Sequence, residues 1–567
     1  MNILDKNYDP TIWTRAREIP EFKGALEALE KSYEQYCVDD ILPSKFSHFR
    51  LFQDVGDRNT YQKDFFRRQH RLFTCAVYSL IYPENEKVFE LLQDTIFEIC
   101  DMFAWALPAH MGPLDTINQF ELDLDSCTMG MALALIKKLF GKRLHPLIIK
   151  RIDDEIDRRI VEPFLAQRWH WEFRENNWTT VCTGSVGCAL MLNRPDVFEL
   201  VKDRINHDMQ TYVDAYGDDG VCTEGAGYWG YGFGYYIAYA DMLRSYSNGK
   251  DDLLAGKKIK GIATFYQKMI LDNNVVVTFG DCGLGGRMTQ NAGLAYKLKS
   301  IFGDVYEFPP KDTLTYDVHY FPFFLDTFIC YNEANKDSEL SRNCEYFMAN
   351  QGWYVKRTPY YSFACRGGTN GESHNHNDVG SFIFASGDKQ VLCDIGGRPY
   401  TRQYFENEYR YTFLETSSRG HNAPIINGKY QVNIPETRSY TTFENGVVSI
   451  DFKELYGQEE LKKLIRHYKC DEDGVDIVDE FEIEGDGSLV ERLVTYFEPK
   501  ISDGVVEIDG VLIKFDSKIA KATYTIDMRA RELNEDGSIK IGEDVYCIDI
   551  TPFELGTSFS FRVEVKK

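Results

Sequence analysis

The segment Ser373-His374-Asn375-His376-Asn377-Asp378 places two of the chain's 11 histidines two positions apart. Asp394 follows within Val-Leu-Cys-Asp-Ile-Gly-Gly, and His421 within Arg-Gly-His-Asn-Ala-Pro. Imidazole nitrogens with one carboxylate oxygen and an open position suit tetrahedral Zn²⁺. A histidine outside that set can move protons near neutral pH. In an extended segment His374 and His376 point to one face, so both could bind metal, or one could face a cleft. The pattern predicts strands over 381–385 and 390–394 joined by the turn 386–389. Such a hairpin returns Asp394 towards His376, and His421 completes the cluster from a later loop. Asp378 either orients a histidine or closes a turn.

A second group of candidates lies earlier. Trp169-His170-Trp171-Glu172-Phe173-Arg174-Glu175-Asn176-Asn177-Trp178 mixes indoles, amides and a histidine, and Arg168 precedes it. Asp218-Asp219-Gly220-Val221-Cys222-Thr223-Glu224-Gly225-Ala226-Gly227-Tyr228-Trp229-Gly230-Tyr231 is glycine-rich. Glycine is costly inside a helix, so this stretch is expected to be a loop entering a helix that holds Tyr231 to Tyr239. Tyrosines there can reach a cleft, although packing between helices is the simpler account of any one of them. The cluster Arg67-Arg68-Gln69-His70-Arg71 reads as a solvated helix face or as a neutraliser of an acidic ligand. The sequence has no Walker loop, dinucleotide fingerprint or HExxH motif, and Thr183-Gly184-Ser185-Val186-Gly187 is not a nucleophile elbow.

The elements that must position these residues change character along the chain. Ile148, Ile152, Ile156 and Ile160 recur every four residues and mark one helix face. Similar patterns cover about 60–100, 126–140, 195–216 and 231–245, which predicts an array of helices. Beyond about residue 340, β-branched and aromatic runs alternate with Asp-Gly turns at 473, 486, 503, 509 and 536. That pattern predicts an antiparallel β-sandwich. The expected division is a helical domain over 1–335 and a sandwich over 336–567, with 309–341 as linker.

Composition narrows the function. A chain of 567 residues exceeds one simple core. Net charge −24 argues against nucleic acid as a partner. Any anionic substrate must meet a locally basic cleft. No apolar run predicts a membrane span, and the first residues lack a signal-peptide pattern, so a cytoplasmic location is expected. The 14 cysteines without a CxxC pair fit reduced thiols. The many tyrosines and phenylalanines suit core packing first and sugar stacking second.

Taken together, the run His374 to Phe382, Asp394 with Gly396 and Tyr400, His421-Asn422, Asn176-Asn177-Trp178 and Glu224 to Tyr228 resembles the heparinase II/III-like lyases, across most of the chain. The resemblance implies an N-terminal (α/α) toroid, an incomplete helical barrel, followed by the antiparallel β-sandwich. It also implies polysaccharide lyase activity on uronic-acid glycans. Position by position, it assigns Tyr228 as the catalytic tyrosine and His374 as the catalytic histidine between the domains. It assigns Asn177 to the uronate carboxylate, and His376, Asp394 and His421 to a structural Zn²⁺. Trp178, Glu224, Trp229, Arg174 and Arg366 are the expected substrate contacts. Some relatives carry histidine where this chain has Trp178.

The expected partner is an anionic uronic-acid oligosaccharide or polysaccharide, glycosaminoglycan-type first, with no membrane partner and homo-oligomerisation left open. In the expected β-elimination, either Tyr228 is both base and acid for a syn arrangement, or His374 is base and Tyr228 acid for the other C5 epimer. Two other classes compete. A glycoside hydrolase would draw paired carboxylates from Asp218, Asp219 or Glu224, and a non-catalytic glycan-binding protein would keep only the zinc.

Overall fold

A computed structural model describes residues 2–566 except 274, 283–288, 304, 310–312, 332–339 and 535–536. The first half is helical. Its larger helices are Lys23–Tyr36, Asn59–Ile81, Glu86–Cys100, Leu124–Phe140, Asn177–Asn193, Pro195–Asp214 and Ala226–Tyr246. Asn177–Asn193 packs against Leu124–Phe140, Pro195–Asp214 and Ala226–Tyr246. It is buried nearly all round because its sequence is apolar or small on every face. Gly187 lets the Tyr239 ring lie where a Cβ would be 2.4 Å away. The isoleucine pattern holds: Ile148, Ile152, Ile156 and Ile160 are all buried, along Pro146–Ile156 and the wider turn 157–161 that continues it.

Among its described residues, the stretch expected to be linker contains a packed helix. Phe321–Ile329 forms a helix whose Phe321, Phe323, Phe324 and Phe328 are buried in the helical core. Each phenylalanine contributes about 1.5–3 kcal/mol on burial, which outweighs the turn signals around Pro309 that suggested a linker. The expected boundary at 335/336 lies outside the described residues.

The second half is β-rich. Strands Cys344–Met348, Trp353–Arg357, Ser362–Arg366, Phe382–Ser386 and Lys389–Leu392 pair antiparallel in chain order. Strand alternation gives this sheet two apolar faces. Trp353, Val355, Ala364 and Ile383 join the helical core, whereas Tyr354, Phe363, Cys365 and Phe382 join a second core with Ile450, Leu464 and Ile477 of an eight-stranded sheet. The five-stranded sheet is therefore a middle layer fused to the helices on one side. A four-stranded sheet adds Leu489–Thr495 and its neighbours.

Arg466 ties these layers to the histidine loops. Fully buried, it pairs with Asp479 and Glu491 and donates to the carbonyls of Gly380 at 3.0 Å and Asn422 at 2.9 Å. Gly380 closes the loop carrying His374 and His376, and Asn422 follows His421. Among the described residues no helix is long and apolar enough to cross a membrane.

Candidate active site between the helices and the sandwich

A cleft of about 1220 Å³ separates the helical part from the loops of the sandwich. Asn177, Trp178, Tyr228, Asp281, His374, Tyr400 and Arg410 are among its lining residues.

Asn177 and Tyr228 sit at the first turns of two packed helices. Asn176 caps the first helix by accepting from the Trp178 N–H. Gly225 opens the second at φ 92°, where a Cβ would meet the Phe279 carbonyl at 2.7 Å. The glycine-rich stretch is therefore loop up to Gly225, as expected, and the helix holding Tyr231 to Tyr239 begins earlier than expected, at Ala226. Its glycines serve packing: a Cβ on Gly232 would lie 3.1 Å from the Asn177 Cβ. Tyr228 thus lies on a rigid first turn facing the cleft.

His374 lies on the loop between Ser362–Arg366 and Phe382–Ser386, with φ 58°. Positive φ is uncommon for a non-glycine residue and costs free energy, so the surroundings must enforce it. They do. The His374 carbonyl accepts from the Asp281 N–H at 3.0 Å, and its Nδ1 lies 2.9 Å from Asp281 Oδ2. The His374 ring stacks on Tyr228, with centroids 3.9 Å apart and planes 17° from parallel. The Tyr228 and Tyr400 hydroxyls are hydrogen-bonded at 2.5 Å.

Asp281, absent from the sequence reading, is the hub. Beyond His374 it meets His376 Nε2 at 3.0 Å, Arg410 Nη2 at 3.0 Å and the Tyr404 hydroxyl. Burial alone would raise its pKa; hydrogen bonds from His374 and His376 and the Arg410 charge outweigh burial and hold it well below the usual carboxylate range. An ionised Asp281 accepts protons only. It therefore fixes His374 with hydrogen on Nδ1, leaving Nε2 as the basic nitrogen of the neutral ring. Burial first, then Tyr400 and Asp281, push the Tyr228 pKa well above 10, so its hydroxyl keeps its proton.

Behind this group, one nitrogen each of His376 and His421 and one Asp394 oxygen lie within 4.8 Å of one another. All three side chains are buried. His376 Nδ1, Asp394 Oδ2 and His421 Nδ1 make no hydrogen bond outside the cluster among the described residues, and within it His421 Nδ1 lies 3.3 Å from Asp394 Oδ2. The outer nitrogens are engaged: His376 Nε2 with Asp281, and His421 Nε2 with the Glu415 carbonyl at 3.0 Å. Each ring thus binds outward through one nitrogen and turns a bare one inward, the orientation of metal-ligating histidine. Three buried ligand atoms of this type, converging within 4.8 Å with only one another for company, fit a Zn²⁺ ion.

The expected substrate contacts divide. Trp178 and Arg174 line the cleft, with the Arg174 guanidinium 5.9 Å above the Trp178 ring. The other three do not line it. Glu224 is buried beneath Asn177 and accepts from its backbone and side-chain nitrogens at 3.0 and 2.9 Å; it positions Asn177. Trp229 is fully buried, donates to the Ile262 carbonyl and stacks on Tyr266. Helical spacing turns it away from Tyr228, its neighbour in sequence. Arg366 is buried against Asp378 at 2.9 Å and the Thr369 carbonyl, so Asp378 pairs with that arginine and reaches His421 only through its charge. Asp218 and Asp219 also lie off the cleft; Asp219 accepts from the Asn350 and Gln351 N–H groups and joins the two halves. The hydrolase reading thereby loses its carboxylate pair.

A helical array followed by β-sheets, with histidine and tyrosine facing each other in the cleft, defines the architecture of (α/α)-toroid and β-sandwich proteins. Within it, residues 342–525 match the family model "Heparinase II/III-like, C-terminal". The whole chain has the fold of the crystal structure of heparinase III, at 13% identity and TM-score 0.59, covering 99% of this chain and 94% of that one. A mutant heparan sulfate lyase from Pedobacter heparinus is similar at 12% identity and TM-score 0.59, with 100% and 94% covered. Chondroitin AC lyase of Streptomyces coelicolor A3, in complex with chondroitin sulphate, is similar at 8% identity and TM-score 0.58, with 98% and 82% covered. No curated protein matches the chain significantly.

Proposed function

We propose that this protein is a lyase that cleaves 4-linked uronic-acid glycans, of glycosaminoglycan type, by β-elimination. The observation that carries the reading is the His374–Tyr228 stack in the cleft, with Asp281 behind the histidine and Asn177 beside it.

The C5 proton of a uronate is hard to remove because negative charge develops next to a carboxylate. Asn177 donates to that carboxylate where the charge develops, and Glu224 holds the amide in place. His374 Nε2 takes the C5 proton. The freed electron pair forms the C4–C5 double bond, the C4–O4 bond breaks, and Tyr228 gives its proton to O4. Retention of the Tyr228 proton suits an acid and argues against phenolate as the base.

Rings stacked at 3.9 Å leave no room for a sugar between them, so acid and base reach the substrate from one face. That favours syn elimination, and hence a glucuronate-type residue whose C5–H and C4–O4 bonds share a face. His374 as base then goes with the syn case, where sequence reasoning had paired it with the other epimer.

We also propose Zn²⁺ as the resident metal, held by His376, Asp394 and His421. Bound there, it supplies structural anchoring for the histidine loop, transmitted to His374 through Asp281.

The test is ultraviolet absorbance during incubation with uronic-acid oligosaccharides. The conjugated double bond absorbs, so absorbance rises on glucuronate-containing oligosaccharides. New reducing ends without absorbance would instead establish hydrolysis.

A further inference from the structure

The cleft contains a cation that the proposed chemistry does not use. Arg58 immediately precedes the helix Asn59–Ile81 and lines the cleft, half-buried. Its Nη2 lies 2.9 Å from His110 Nε2, and His110 Nδ1 lies 2.8 Å from Asp123 Oδ2. Asp123 is buried and also accepts from the Leu107 and Ser126 N–H groups. Because a guanidinium only donates, His110 Nε2 accepts from Arg58, and its Nδ1–H donates to Asp123. Arg58 is therefore aimed by a neutral ring, while Asp125 and Asp123 act on its charge from nearby without an ion pair among the described residues.

No carboxylate forms an ion pair with Arg58 among the described residues. Asp125 faces the same space, but burial and Asp123 push its pKa well above the usual range, which weakens it as a counter-ion. The other cleft arginines are committed or exposed: Arg410 to Asp281, Arg402 to the Phe52 and Gln53 carbonyls, Arg398 to Glu415 and the Phe413 ring, Arg174 over Trp178. His110 packs edge-on to Trp178 at 4.9 Å, so a sugar stacked on that indole has Arg58 beside it. In a chain of net charge −24, a fixed guanidinium that lines the cleft and has no carboxylate in direct contact among the described residues marks a place for an anion from outside.

We propose that Arg58, aimed by the Asp123–His110 pair, is an anion clamp that binds a carboxylate or sulfate of the glycan in the cleft and sets preference for acidic substrates. The proposal rests on the cleft being the glycan site of the lyase reading.

Its test is binding, measured by calorimetry in the Tyr228→Phe background so that turnover does not interfere. The probes are a sulfated uronate oligosaccharide, its desulfated form and its carboxyl-reduced form. Arg58→Gln should weaken binding of the sulfated probe by about tenfold or more, the scale of a charge-assisted hydrogen bond. Arg58→Lys should fall between. Unchanged affinity for the desulfated probe assigns the clamp to sulfate; loss on both, but not on the carboxyl-reduced probe, assigns it to carboxylate. Equal affinities of the parent and Arg58→Gln for all three probes, with unchanged melting temperature, would overturn the clamp, as would absence of binding to the parent. Absorbance by the wild-type protein judges the elimination chemistry separately.

Discussion

Replacing Tyr228 by phenylalanine should lower the rate of elimination by about 10²–10⁴, the range for loss of a general acid or base, while leaving the fold intact. Phenylalanine keeps the ring stacked on His374 and removes only the hydroxyl and its bond to Tyr400. The informative readout is partial chemistry. If His374 is the base, Tyr228→Phe still exchanges the C5 proton of a bound uronate with deuterated solvent, because proton removal precedes and does not need the acid. His374→Ala should lose both exchange and elimination. The opposite pattern, exchange surviving in His374→Ala and lost in Tyr228→Phe, would make tyrosine the base. Near-normal elimination by both variants would remove this pair from the mechanism altogether.

The second large effect concerns the buried triad. His376→Ala should cost the protein its zinc and lower its melting temperature by more than about 5 °C, since metal binding to a folded site adds directly to folding stability. Two consequences separate this from an ordinary core defect. Prolonged chelation of the wild-type protein should reproduce the loss of stability, and zinc should restore it. The His376→Ala variant, lacking a ligand, should respond to neither. Metal analysis finding no zinc in the wild-type protein, or equal zinc in both, would dismiss the assignment. His376 also hydrogen-bonds Asp281, so its removal should slow turnover as well; metal content and melting carry the test without relying on activity.

Much of this architecture was legible in residue order. Isoleucine spacing located a helix face, and the shift to alternating runs with Asp-Gly turns located the β-rich half. The histidine cluster was legible because two imidazoles, an aspartate and a third imidazole are chemically unusual together. What failed shares a cause: local pattern does not report what lies across the fold. Ala226 to Gly230 looked like the end of a loop because glycine disfavours helices, yet they form the first turn of the helix that continues through Gly232 and Gly234, where Asn177 and the Phe323 ring occupy the space that side chains would need. Trp229 and Arg366 looked like ligand contacts by type, but their neighbours bury them.

Asp281 and Arg58 were missed for the converse reason. Each is a single charged residue in an unremarkable stretch. Asp281 acquires its role only when strand pairing brings His374 and His376 to either side of it. Arg58 acquires its role only when helix packing sets His110 and Asp123 behind it. Bulkier, better patterned neighbours drew attention to Arg67 and Arg68 instead, and Arg68 proves to be buried with its guanidinium on the Asp64 carbonyl at 2.9 Å.

The central claim is that the glycosidic bond breaks by elimination. Cleavage in water enriched in heavy oxygen, followed by mass spectrometry of both products, tests it most directly. Elimination takes no oxygen from water, because O4 leaves with the departing sugar and the other product gains a double bond. The account predicts unlabelled primary products, one of them lighter than its hydrolytic counterpart by one water. One heavy oxygen built into a saturated product during bond cleavage would contradict it.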